Sequence, residues 1–185
     1  MIITIIDCGS TKVPDIVKMV EQNGVKTEIV KLSENKKWNG NGIIISGAPV
    51  LLTETDPKPY LKLSGQIKHV KVPLLGICFG HQLIGLHFGA EIKKCTADRE
   101  RQKIHFFRDT RITSGFSEMM EFKEDHCECI TLPDNFDLVA SSVTCEVEMM
   151  KHMEKYIYGV QFHPEVSGDN GMILISKFIQ LCKKV

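Results

Sequence analysis

The ten residues Pro73-Leu74-Leu75-Gly76-Ile77-Cys78-Phe79-Gly80-His81-Gln82 hold an apolar run, two glycines and a cysteine midway between them. Leu74 to Ile77 has no polar position, as expected of a strand covered on both faces. A helix follows from about Phe79 to Phe88, so Cys78 sits in a sharp strand-to-helix turn. Small residues two positions away on either side are what such a turn needs, because bulky neighbours would clash with strand or helix.

The same alternation extends in both directions. Ile2–Ile6 is an apolar, β-branched run and reads as a buried strand. Thr11 and Pro14 open a helix in which Val13, Ile16, Val17 and Val20 recur at helical spacing, and Gly24 closes it. Val25–Leu32 and Ile43–Ile45 read as strands, with the turn Ser46-Gly47-Ala48-Pro49 after the latter. Residues 58–69 read as a helix. In the second half, residues 90–94, 103–107, 137–141, 144–150 and 156–162 read as strands with short connections, and 170–183 as a closing helix. The prediction is α/β: a mostly parallel central sheet with helices on both faces plus an antiparallel portion. No linker interrupts the pattern, so a single domain over residues 1–185 is expected.

Composition narrows the function classes. Lys plus Arg and Asp plus Glu are 23 each, which argues against nucleic acid as a partner. With 43% hydrophobic and 25% charged residues, the chain reads as globular rather than disordered. Seven widely spaced Cys form no disulfide framework, which points to a reducing, cytoplasmic setting. The apolar start is cut off by Asp7 and lacks a basic stretch and cleavage site, so no leader is expected. No run approaches the ~18 apolar residues of a membrane span, so no membrane partner is expected. The charges are uneven: residues 91–108 carry six bases against three acids, and residues 109–128 six acids against two bases. Such blocks read either as solvated faces or as a docking surface for a charged partner.

The turn assigns a chemistry to Cys78. It places the thiol at a helix N-terminus, where the dipole favours negative charge, and aims the Phe79 N–H at a developing oxyanion. A thiol nucleophile needs a base, and the base needs an orienter. Gln161-Phe162-His163-Pro164-Glu165 supplies both. If Pro164 holds the chain extended, His163 and Glu165 point to the same side. Glu165 could then fix the tautomer and leave the other imidazole nitrogen for Cys78. His81, on the helix after the elbow, is badly placed for that role. Asp125-His126-Cys127-Glu128-Cys129 offers five ligand-type residues in a row. Its C-x-C lacks the usual metal-site spacing and no second half is visible, so no metal is expected. No nucleotide-binding glycine motif is present.

Taken together, Ile6-Asp7-Cys8-Gly9-Ser10, Ser46-Gly47-Ala48-Pro49, the elbow and Gly159–Glu165 resemble, in order and over nearly the whole chain, the class I, triad-type glutamine amidotransferases. The stretch Val147-Glu148-Met149-Met150-Lys151-His152 and the run Ile157–Val166 are most similar to the glutaminase part of GMP synthases. Arg99-Glu100 falls where that subfamily tends to have such a pair. The resemblance implies that Cys78 attacks the amide carbon of glutamine, His163 relays protons and Glu165 orients it. It implies an oxyanion hole from Phe79 and the Gly47-Ala48 turn, with Gln82 and His126 at the substrate. It implies no cofactor in this chain, ATP and Mg only on a partner synthetase, and ammonia supplied to that partner. An amidotransferase of another pathway (anthranilate or aminodeoxychorismate synthase type), a stand-alone amide or γ-glutamyl hydrolase and a silent regulatory homologue are the alternatives. The family commonly has Gly-Gly-Pro where this chain has Gly47-Ala48-Pro49. Ala48 would slow formation of the hole if the donor had to adopt positive φ. The loop Asp125–Glu128 departs from the Ser-His-Gly-Asp usual in GMP synthases.

Overall fold

The computed structural model describes all residues, 1–185. Five strands run parallel: β1 (Ile2–Asp7), β2 (Lys26–Lys31), β3 (Gly42–Ile45), β4 (Leu74–Ile77) and, from far along the chain, β11 (Ile157–Val160). Their order is β2-β1-β3-β4-β11. Beyond β11 the same sheet continues antiparallel through β10 (Met149–His152), β9 (Phe136–Ser141), β6 (Arg101–Phe106) and β7 (Met119–Lys123). A separate two-stranded ribbon pairs β5 (Ile92–Asp98) with β8 (His126–Ile130).

Helices α1 (Val13–Gln22) and α4 (Asp169–Cys182) cover one face, and α2 (Lys58–Leu63) and α3 (Phe79–His87) the other. This explains the unbroken apolar runs. Ile3 and Ile5 of β1, Ile44 of β3 and Leu75 and Ile77 of β4 pack with Ile16 and Phe178. The alternate residues Ile6, Ile43, Ile45 and Leu74 pack with Phe79, Leu83 and Ile84. Both pleats of β1, β3 and β4 are therefore buried.

Four elements differ from expectation. Residues 58–69 are not one helix: α2 ends at Ser64, whose hydroxyl donates back to the Tyr60 carbonyl at 2.7 Å, and a 3₁₀ segment, Gly65–His69, follows. The strand expected over 144–150 begins only at Met149, because Ser142 organises a turn. Its Oγ accepts from Thr144 N and Cys145 N at 3.2 and 3.0 Å. Strands β7 and β8 were not anticipated; both lie in the acid-rich block. That block is no uniformly charged face, since Glu124 and Glu128 are buried at 0% and 2% exposure.

Candidate functional site

The parallel pairing of β4 with β11 sets Ile77 opposite Val160, so the two chain segments leave the sheet side by side. Cys78 follows β4 and caps α3, with φ 50° and ψ −104°. A positive φ is uncommon for a residue with a side chain and marks strain held by its surroundings. What holds it is close packing. A Cβ on Gly76 would lie 2.5 Å from Gly80 backbone, and one on Gly80 would lie 2.5 Å from the Ile45 carbonyl oxygen. The Cys78 N–H donates to the Val160 carbonyl at 2.8 Å, tying the nucleophile's backbone to β11.

His163 lies three residues beyond β11, its N–H donating to the Lys123 carbonyl at 2.8 Å. Residues Pro164–Val166 form a 3₁₀ turn, not the extended segment expected from Pro164. The turn still brings His163 Nδ1 and Glu165 Oε1 to 2.7 Å, with side-chain exposures of 3% and 0%. The proton on Nδ1 is thereby fixed toward the carboxylate, and Nε2 is left for Cys78. Burial alone would push the imidazole's pKa down; contact with Cys78 and Glu165 outweighs it and holds the pKa up, at about 10. The expected trio of Cys78, His163 and Glu165 is thus assembled from two strand ends.

The predicted oxyanion donors also converge. The Phe79 N–H is in the first turn of α3, where no intrahelical acceptor exists. The Ala48 N–H has no acceptor within the chain, and Ala48, Phe79 and Cys78 border one pocket. The Gly47 carbonyl accepts from Ser46 Oγ at 2.9 Å, and that hydroxyl accepts from Cys8 N–H at 3.0 Å, which fixes the orientation of the Gly47-Ala48 peptide. Neither Gly47 nor Ala48 has positive φ, so alanine carries no conformational penalty there. A Cβ on Gly47 would sit 3.3 Å from His163 Cε1, so its bareness leaves room for the imidazole.

The pocket has a volume of about 400 Å³. Gln82 borders it; its amide nitrogen donates to the Glu128 carbonyl and to Gln161 Oε1, both at 3.3 Å. Gln161 in turn points its amide nitrogen at Cys78 Sγ, 3.5 Å away. Nothing in the sequence pattern marks Gln161 for a role, yet it is wholly buried against the nucleophile. The rim carries Lys12 and Arg99, whose charged nitrogens lie 2.6 and 4.0 Å from the Asp125 carboxylate. Lys12 beside it holds the Asp125 pKa below the usual carboxylate range. Glu128 does not face the pocket as a free acid: its two oxygens accept from Leu52 N and Thr53 N at 3.0 and 2.7 Å.

His126 is a correction. It borders the pocket, but its side chain is only 1% exposed. Nδ1 faces Cys95 and Nε2 faces Glu124, so neither nitrogen is available to a substrate. A sequence cannot say which way a ring turns. His81 is likewise buried, against Gly159, and burial drives its pKa down to about 3, so it stays neutral. That agrees with its exclusion as the base.

The family model "Glutamine amidotransferase class-I" matches residues 4–181. This chain belongs to the class-I glutamine amidotransferases. Among amidotransferase relatives, one from Pyrococcus abyssi, named as a glutamine-hydrolyzing GMP synthase subunit, is 35% identical over 187 residues, covering 97% of this chain and 98% of that protein. A protein of the same name from Methanobrevibacter smithii is 35% identical over 167 residues, covering 86% and 85%. A solved structure from Thermoplasma acidophilum, described as a GMP synthase subunit, superposes with a TM-score of 0.89 at 32% identity, covering 100% of this chain and 94% of that one. A Thermotoga maritima glutamine amidotransferase superposes with a TM-score of 0.77 at 17% identity, covering 100% and 84%, a likeness of fold alone. No helix of this amidotransferase is long and apolar enough to cross a membrane.

Proposed function

We propose that this chain is a glutaminase subunit that releases ammonia from glutamine for a separate synthetase, one that converts xanthosine monophosphate to GMP. The arrangement of Cys78, His163 and Glu165 at the adjoining ends of β4 and β11 supports the chemistry. The names and near-full-length similarity of the relatives support the acceptor.

The steps follow from the geometry. Cys78 Sγ attacks the side-chain amide carbon of glutamine, its proton held on His163 Nε2. The carbonyl oxygen becomes an oxyanion facing the Phe79 and Ala48 N–H groups. Losing one such donor costs on the order of 10²–10³ in rate. The C–N bond breaks as His163 returns the proton to the departing ammonia, leaving a thioester. His163 then takes a proton from water, which attacks the thioester and frees glutamate and the thiol. Glu165 keeps the imidazole in one tautomer throughout. At the rim, Lys12 and Arg99 suit the α-carboxylate of glutamine and Asp125 its α-ammonium. ATP and Mg belong on the synthetase; the chemistry assigned to this chain needs neither.

Ammonia release is the test. Cys78→Ala should abolish it, and adding the synthetase with ATP, Mg and xanthosine monophosphate should raise it and yield GMP. Wild-type ammonia output from Cys78→Ala would overturn the nucleophile, and stimulation without GMP would overturn the acceptor.

A further inference from the structure

A second cluster of chemistry-bearing side chains lies behind the pocket, and the Cys78 machinery uses none of it. The pairing of β5 with β8 slips between Lys94 and Asp98, and this irregularity turns Cys95 toward His126. Cys95 Sγ is 3.6 Å from His126 Nδ1. The ligand atoms of Cys95, His126 and Cys129 all lie within 4.8 Å of one another. The Ser142 turn holds Cys145 nearby, but its thiol lies outside that set of mutually close ligand atoms. Cys129 and Cys145 are 3% and 2% exposed.

The Cys95–His126 separation fits zinc. Tetrahedral zinc with Zn–S of about 2.3 Å and Zn–N of about 2.05 Å demands a sulfur-to-nitrogen edge of about 3.6 Å. The surroundings point the same way. His126 Nε2 lies 3.3 Å from Glu124 Oε2, and Glu124 is fully buried with no hydrogen-bond donor of its own. A buried carboxylate without a partner is costly. A carboxylate behind an imidazole is also the usual support for a metal-bound histidine. Two thiols beside one imidazole select a soft, borderline ion over magnesium or calcium.

We propose that Cys95, His126 through Nδ1 and Cys129 hold a zinc ion. Binding releases two thiol protons to solvent, and three protein ligands leave the fourth tetrahedral position to water. It clamps the β5 irregularity to β8. Strand β8 carries Glu128, which holds Leu52 and Thr53 beside the pocket. The ion would therefore stiffen the pocket's wall from behind.

Metal analysis of the full chain, purified under reductant, equilibrated with zinc and desalted, should find one zinc per chain. Cys129→Ser should lower this at least tenfold, while Cys127→Ser, which falls between two of the ligands in sequence, should leave it unchanged. Should Cys129→Ser fail to fold, cobalt(II) in the unsubstituted chain decides: thiolate-to-cobalt charge transfer and intense visible bands are expected. Failure to retain zinc would overturn the site. A cobalt spectrum without charge transfer would do so too, by placing the metal on Glu124, His126 and Glu148. So would recovery of Cys129 in a disulfide under reductant.

Discussion

Replacing Gly80 by alanine would set a methyl group 2.5 Å from the Ile45 carbonyl oxygen and 2.9 Å from Ile45 Cβ. Neither can swing aside: one is backbone, the other the root of a side chain buried in the core. Ordinary contact begins at 3.4 Å, so β3 and the start of α3 must separate by about 0.9 Å, the difference from 2.5 Å. Cys78 Sγ and the Phe79 N–H ride on that helix start, while His163 rides on β11 and stays. A misplacement of about 1 Å costs on the order of 10² in rate. Overpacking of this kind costs about 1–3 kcal/mol, or roughly 2–12 °C in Tm for a chain of this size. The assay is kcat for glutamine-dependent ammonia release, beside thermal unfolding. Gly65→Ala is the control, since a Cβ there meets nothing within 4 Å. The expected result is a kcat about 10²-fold down for Gly80→Ala and unchanged kcat and Tm for Gly65→Ala. If Gly80→Ala lowered Tm but kept kcat within about threefold, the packing would set stability without setting the nucleophile's position.

Other outcomes follow from the charges. The His163 pKa is raised from 6.5 to about 10, so its imidazolium adds stability fully below pH 6.5 and loses it as pH rises through about 10. The kcat/KM profile should therefore fall on an alkaline limb near pH 10; Glu165→Gln should move that limb down and lower kcat by about 10²–10⁴. The Tm gap between wild type and Glu165→Gln should narrow as pH is raised from 6.5 to 10, and a constant gap would refute the ion-pair account. Lys12→Met should raise KM for glutamine by about tenfold with kcat unchanged, matching the loss of one charge-assisted hydrogen bond; a fall in kcat instead would place Lys12 at the reacting amide.

The parallel core was legible because its inner strands are buried on both faces. Ile2–Ile6, Ile43–Ile45 and Leu74–Ile77 carry almost no polar residue to confuse their period; the one exception, Thr4, is itself fully buried. The elbow was legible for a related reason: glycines at 76 and 80 are required by contacts that any Cβ would violate. Strands β7 and β8 were hidden because the acids in and between them read as surface charge, true of Glu121 but not of Glu124 or Glu128. Glu128 is buried against the backbone of Leu52 and Thr53, distant in sequence, which no local pattern reveals. His163 and Glu165 were paired correctly although the intervening backbone turns instead of extending. The ligand-rich stretch 125–129 shows no second half along the chain because its companion is remote. Cys95 lies far away in sequence and arrives only through a slipped strand register.

The strand order also bears on how the chain comes together. The first-made strands β2-β1-β3-β4 and the antiparallel strands β10-β9-β6-β7 touch within the sheet only through β11, a keystone of four residues, Ile157–Val160. Until it slots in, the thiol of Cys78 and the imidazole of His163 belong to separate halves. This central, long-range pairing carries a large loop-closure cost, which makes it a natural late event in folding. The reactive pair is thus armed by the same step that makes the sheet whole, and a partly folded chain carries an ordinary cysteine.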